Sequence, residues 1–230
     1  MVKLNKKIAM AVVAASMLAS PSIAQDKKGT NLGEKEVPAT ESSKAVDTLA
    51  LGYRLADYAR TAKDARAMIV AAKMVDSVTV KEGTDKGKIE GAGKGTGTAK
   101  VTTSADLFAE AKTLAAGDAD IVAAVEAAQA ETSKGVVGGA IRTVQYVPGN
   151  TVWTLRFAAR GGEPLVVAAR RDSSVPMGMK VFDENGNLVC QDMSGNVTMF
   201  CRVNPIWTGP FSVQTFNYGG YGAGVALVTN

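Results

Sequence analysis

Thr151-Val152-Trp153-Thr154-Leu155-Arg156-Phe157 alternates strictly, with Trp153, Leu155 and Phe157 on one face and Val152, Thr154 and Arg156 on the other. Period-two alternation is the pattern of a strand with one buried face. Further short apolar runs follow at Leu165–Ala169, Met179–Phe182, Leu188–Gln191, Val197–Val203, Phe211–Phe216 and Val225–Val228. They are divided by turn chemistry at Pro148-Gly149-Asn150, Gly161-Gly162, Asn185-Gly186, Ser194-Gly195-Asn196 and Tyr218-Gly219-Gly220. Asn185-Gly186 is the strongest hairpin signal, because both residues accept the positive φ that a tight two-residue turn demands. Residues 140–230 therefore read as an all-β sandwich or jelly roll.

Working back toward the N-terminus, the pattern changes. Ala-rich stretches with helical spacing occupy residues 46–133 and read as two helical hairpins. Leu51, Leu55, Tyr58 and Ala62 mark one stripe, and Ala65, Met68, Ile69, Ala72 and Val75 a second. Leu107, Phe108, Ala111, Leu114 and Ala115 mark a third, and Ile121, Val122, Val125 and Ala128 a fourth. Asp64 and Asp118 stand where N-caps belong, and Gly117 suits the preceding helix end. Four small helices packing together is favoured over a duplicated repeat unit, since the connection breaks any fixed period. That connection, residues 81–100, is rich in Gly and Lys and reads as a flexible loop. Residues 25–45 are polar and read as a disordered tether. The fold class expected is α+β in two parts, folding independently and joined near Lys134 to Gly139.

The first residues carry a targeting pattern. Lys3, Lys6 and Lys7 precede an apolar run from Ile8 to Leu18, and Ser22-Ile23-Ala24 supplies the small residues that signal peptidase reads. Residues 1–24 are expected to be a cleaved signal peptide, with the mature protein beginning at Gln25 in a periplasmic or secreted location. Eleven mostly apolar residues fall short of the roughly 20 that span a bilayer, so no membrane span is expected. The chain has 26 Lys+Arg and 22 Asp+Glu; without the leader's three lysines it has 23 against 22, a net charge of +1. With no concentrated basic footprint, nucleic acid is not an expected partner.

Chemistry is constrained mainly by what is missing. The 230 residues include no histidine. Ser-His-Asp and Cys-His mechanisms, histidine zinc sites and histidine general bases all drop out. Ser42-Ser43-Lys44 offers a Ser-Lys neighbourhood, but at the edge of the polar tether. Gly91–Gly97 lacks the preceding buried strand and the Gly-Lys-Ser/Thr ending of a phosphate loop. Cys190 and Cys201 are the only cysteines, and in an exported protein such a pair reads as a structural disulfide. Asp183, Glu184, Asn185 and Asp192 could offer oxygens to calcium, but turn-building explains them without calcium-loop spacing. No cofactor or metal is expected. Trp207, Tyr218 and Tyr221 are the candidate ligand surface for sugar or peptide, whereas Trp153, in an alternating apolar row, belongs to the core.

The segment Val181-Phe182-Asp183-Glu184-Asn185-Gly186-Asn187-Leu188-Val189-Cys190, then Cys201, then Trp207-Thr208-Gly209-Pro210-Phe211, resembles the bacterial pre-peptidase C-terminal domain. The resemblance continues through Val213, Asn217 and Leu227-Val228-Thr229-Asn230 and covers residues 140–230. It implies a small secreted β-sandwich of a kind that commonly accompanies hydrolases and carries no catalytic residues. The function expected is thus a non-catalytic exported binding module, not an enzyme, with a protein partner or self-association through the helices. The alternatives are a carbohydrate- or peptide-binding accessory of a secreted hydrolase, or a hydrolase with an unrecognised carboxylate site, which two close carboxylates in a cleft would favour.

Overall fold

Leu165-Val166-Val167-Ala168-Ala169 is apolar without alternation, and every residue of the strand it forms is buried. A strand of that kind is covered on both faces, and that double covering organises the molecule. In a computed structural model the described residues are 28–131 and 137–230. They form four helices in the N-terminal half, followed by two mostly antiparallel sheets, the expected α+β arrangement. The helices are α1 (Glu41–Ala62), α2 (Ala65–Asp76), α3 (Ser104–Leu114) and α4 (Ala119–Ala130). The strands are β1 (Val78–Glu82), β2 (Lys88–Gly91), β3 (Val137–Val147), β4 (Thr151–Ala159), β5 (Leu165–Arg171), β6 (Met177–Phe182), β7 (Leu188–Asp192), β8 (Thr198–Val203), β9 (Gly209–Asn217) and β10 (Ala223–Thr229).

The first sheet runs β1-β3-β10-β5-β8 and the second β2-β4-β9-β6-β7. Their inner faces meet in a core built on Trp153, Phe211, Met179, Met199 and Leu227. A second core lies on the opposite face of the first sheet. There Val166, Ala168, Val228 and Ala140 pack against Val46, Leu49, Met68 and Phe108 of the helices. The molecule is therefore three layers: helices, first sheet, second sheet. The helices bury a face of the sandwich itself, so the two parts share a core. The signal peptide, and residues 132–136 of the expected join, lie outside the described residues.

Several expectations are revised by the same packing. The capping box of Thr40 and Ser43 starts α1 at Glu41, earlier than read. Its buried face is Ala45, Val46, Leu49, Ala50, Tyr53 and Ala56, while Leu51 and Tyr58 are 58% and 61% exposed. Small alanines let α1 lie close to β5, and they outweigh the larger residues in setting the helix's orientation. The α2 stripe is buried as expected, and Asp64 caps α2 by accepting from the Arg66 and Ala67 amides.

Residues 81–100 are built into the sandwich. The end of β1 pairs parallel with β3, and β2 pairs antiparallel with β4. Their glycines serve close approach. A Cβ on Gly87, which sits at φ +64°, would run into the Thr154 carbonyl oxygen, and one on Gly97 would enter the Tyr146 ring. The indole of Trp153 donates to the Lys86 carbonyl at 2.8 Å and holds this segment down.

The polar segment before α1 is also pinned. Asn31 is fully buried. Its amide donates to Asp183 Oδ2 at 2.9 Å, its side-chain amide donates to the Trp207 carbonyl at 2.9 Å, and its Oδ1 accepts from the Ile206 and Trp207 amides. One asparagine thus ties the N-terminal segment to two loops of the sandwich, which composition alone does not reveal.

Cys190 and Cys201 are bonded. The bond does not close a hairpin: β7 belongs to the second sheet and β8 to the first, so the disulfide staples the sheets along one edge.

Candidate functional site

The two outer faces of the sandwich have different fates. The face of the first sheet is covered by the helices; that of the second is left open. The side chains on it follow from strand register, because directly paired residues share a face. Lys88 pairs with Thr154, Thr154 with Gln214, Gln214 with Lys180, and Lys180 with Gln191. Strands lie about 4.8 Å apart, so this polar row crosses all five strands over about 19 Å. The next row is Glu90, Val152, Phe216 and Gly178. On the other side lie Arg156, Ser212 and Phe182. A shallow depression of about 320 Å³ opens beside β2, lined by Lys88, Glu90, Thr154, Arg156, Gln214 and Asp85.

Several charges are paired within the first sheet and where the helices meet it and each other. Arg60 grips Glu110, Arg170 grips Asp57, Arg202 pairs with Asp47 and Arg142 with Glu82. On the open face, Lys88, Arg156 and Lys180 form no ion pair among the described residues. The Lys180 ammonium lies 5.2 Å from the centre of the Phe216 ring, a cation–π contact. Phe216 is stacked in turn on Tyr218, ring centres 5.9 Å apart and planes within 6°. Burial pushes the Tyr218 phenol up.

The sequence-derived surface residues are split by the structure. Tyr218 and Tyr221, 51% and 82% exposed, sit in the turn between β9 and β10. Trp207 precedes the far end of β9, where its indole donates to Glu184 and its backbone is held by Asn31. Trp207 belongs to the N-terminal latch, so the three aromatics do not form one platform. Trp153 is in the core, as read. The residues that sequence reasoning missed, Lys180, Gln214, Thr154 and Arg156, are the outward half of the same alternation that revealed the strands.

The acidic cluster is latch chemistry too. Burial alone would raise the Asp183 carboxyl, but amides of Asn31, Asn187 and Asn185 outweigh it and hold the group below the usual range. Glu184 follows the same logic: burial raises it, and the Trp207 indole and Asn31 amide bring it down. Asp192 is lowered by Ser194, the Phe200 amide and Arg54 against the effect of burial. No group of three or more His, Cys, Asp or Glu side chains could hold a metal among the described residues. A cleft of about 400 Å³ between α1, α3 and β5 contains Asp57, Glu110 and Asp106. Asp57 and Glu110 are both spent on arginines, and Asp106 is lowered by accepting from the Thr103 amide and hydroxyl.

No family model and no curated protein matches this chain. Among solved structures, it is similar to the pre-peptidase C-terminal domain of a collagenase from Bacillus anthracis. Identity is 11%, the match covers 39% of this chain and 75% of that one, and the TM-score is 0.25. No helix among the described residues is long and apolar enough to cross a membrane.

Proposed function

We propose that this chain is a non-catalytic exported binding module whose working surface is the open face of the second sheet, taking an extended polysaccharide. The observation that carries the reading is the asymmetry of the sandwich: one outer face is buried by helices, and the other presents a row of unsatisfied polar side chains. Thr154, Gln214, Gln191 and Ser212 have no side-chain hydrogen bond to protein among the described residues, and amide and hydroxyl groups in a row suit the hydroxyls of a glycan. A peptide would more naturally add to a sheet edge through its backbone. The row lies across the middle of the sheet, where side chains do the recognising.

Export rests on the Lys3–Ala24 leader pattern and on a disulfide of the kind that persists outside the cytoplasm. The non-catalytic reading rests on the absence of histidine and on the Asp183, Glu184 and Asp192 carboxyls, which hydrogen bonds hold below the usual range and so make poor general acids near neutral pH. A helical partner surface has less support, because α1 and α2 spend most of their apolar residues on each other and on the first sheet.

Retention of the mature protein on immobilised polysaccharides tests this. Wild-type protein should be retained without releasing reducing ends, and Gln214→Ala with Tyr218→Ala should pass through. Retention that survives those changes but is lost on Leu51→Ser with Tyr58→Ser would move the site to the helices. Turnover abolished by one Asp, Glu or Lys substitution would make the protein an enzyme.

A further inference from the structure

Lys180 and Arg156 flank the central strand β9 on the open face, one on β6 and the other on β4, with Lys88 beside Arg156 on β2. Together they place three cations around the Gln214 side chain. Six of the nine arginines, Arg54, Arg60, Arg142, Arg160, Arg170 and Arg202, each meet a carboxylate, and Arg171 donates to the Val175 and Gly195 carbonyls, whereas Arg156 has neither kind of partner among the described residues. The acids near the open face, Glu90 and Asp85, lie toward the β2 end and form no ion pair with these cations. Cations outside any ion pair, sharing a face with amide and hydroxyl side chains, supply charge and neutral hydrogen bonding to the same ligand.

We infer that the ligand is an acidic polysaccharide, one whose sugar units carry carboxylates. The inference rests on the open-face reading above and adds the chemical class. Arg156 offers a planar fork to a carboxylate. Lys180 and Lys88 act as point charges on either side of Gln214. Thr154, Gln214 and Gln191 take the hydroxyls between charged groups. Tyr218, stacked on Phe216 just past the end of β9, offers an amphipathic ring to one side of the row.

Affinity electrophoresis of the mature protein in gels containing dextran, carboxymethyl-dextran, polygalacturonate or polyglutamate tests the inference, since the first two share a backbone and differ in charge. Carboxymethyl-dextran and polygalacturonate should retard the protein while dextran and polyglutamate do not. Retardation should fall with added salt, because exposed charges are screened within about 10 Å at 0.1 M. Lys180→Ala with Arg156→Ala should weaken acidic-glycan binding by about tenfold or more and leave the thermal midpoint unchanged. Equal retardation by dextran, or by polyglutamate, overturns the acidic-glycan inference while leaving the open face as the binding surface. Retardation that ignores both the cation changes and Gln214→Ala overturns the open-face reading as well, and no retardation in any gel contradicts both.

Discussion

Arg170 on β5 holds Asp57 on α1 by two parallel hydrogen bonds, Nη1 to Oδ2 and Nη2 to Oδ1, each 2.9 Å. Asp57 also accepts from Arg60 at 2.7 Å, and Arg60 in turn grips Glu110 of α3. Arg170 is nearly buried and donates to Thr198 of β8 as well. One guanidinium therefore joins the helical layer to two strands of the first sheet. Removing Arg170 leaves Asp57, part-exposed, to Arg60 and takes a donor from Thr198. We expect Arg170→Ala to cost about 1–3 kcal/mol of unfolding free energy, read by urea denaturation. A loss below about 1 kcal/mol would mean the clamp is ornamental.

From the same packing we expect the sandwich not to fold alone. Residues 137–230 alone would expose Val166, Ala168 and Val228, which the helices bury. This fragment should give broad, non-cooperative unfolding or aggregate, whereas residues 28–230 unfold cooperatively. A sharp transition with β-type circular dichroism from the fragment alone would support the two-part reading.

How much of this could be read in the chain depends on which signal each contact leaves. Trp153, Leu155 and Phe157 announced β4 because one face is buried and period two survives. The doubly buried β5 is also legible as a strand, and its lack of alternation is the one trace that the helical layer leaves in it. Leu51 and Tyr58 misled because alanine, not leucine, lines the buried face of α1, and alanines mark no stripe in an alanine-rich helix. Asn31 left no local signal at all, since its partners lie more than 150 residues away at Asp183 and Trp207. For the binding face, Tyr218 was found from its glycine neighbours, but Lys180 and Gln214 come together only through register.

Cys190 and Cys201 tie the second sheet to the first at an edge that no hairpin closes. Replacing either with serine should lower stability by about 2–5 kcal/mol, and the loss should appear in denaturant midpoints under non-reducing conditions. Two titratable thiols in native protein isolated from an oxidising compartment would contradict the staple.

Asp183 organises the latch by accepting from the amides of Asn31, Asn185 and Asn187 and from the Asn187 side chain. Asp183→Asn replaces one acceptor oxygen by a donor facing donors and should cost about 1–3 kcal/mol. Trypsin should then cut after Lys35 earlier than in wild type. Because the folded carboxyl is held below its unfolded value of about 4, its contribution is fully present above that pH and fades as pH falls through the lower folded value. Asp183→Asn should therefore flatten the acid limb of the stability curve; an unchanged limb would remove Asp183 from it.

The most direct measurement is backbone amide chemical-shift mapping of the isotope-labelled mature protein titrated with oligogalacturonate. Shifts should concentrate on Lys88, Thr154, Arg156, Lys180, Gln214 and Tyr218, spanning β2, β4, β9 and β6, with α1 and α2 silent. Shifts gathered instead on the outer side of α1 around Leu51 and Tyr58, or in the cleft lined by Asp57 and Glu110, would contradict the assignment of the open face.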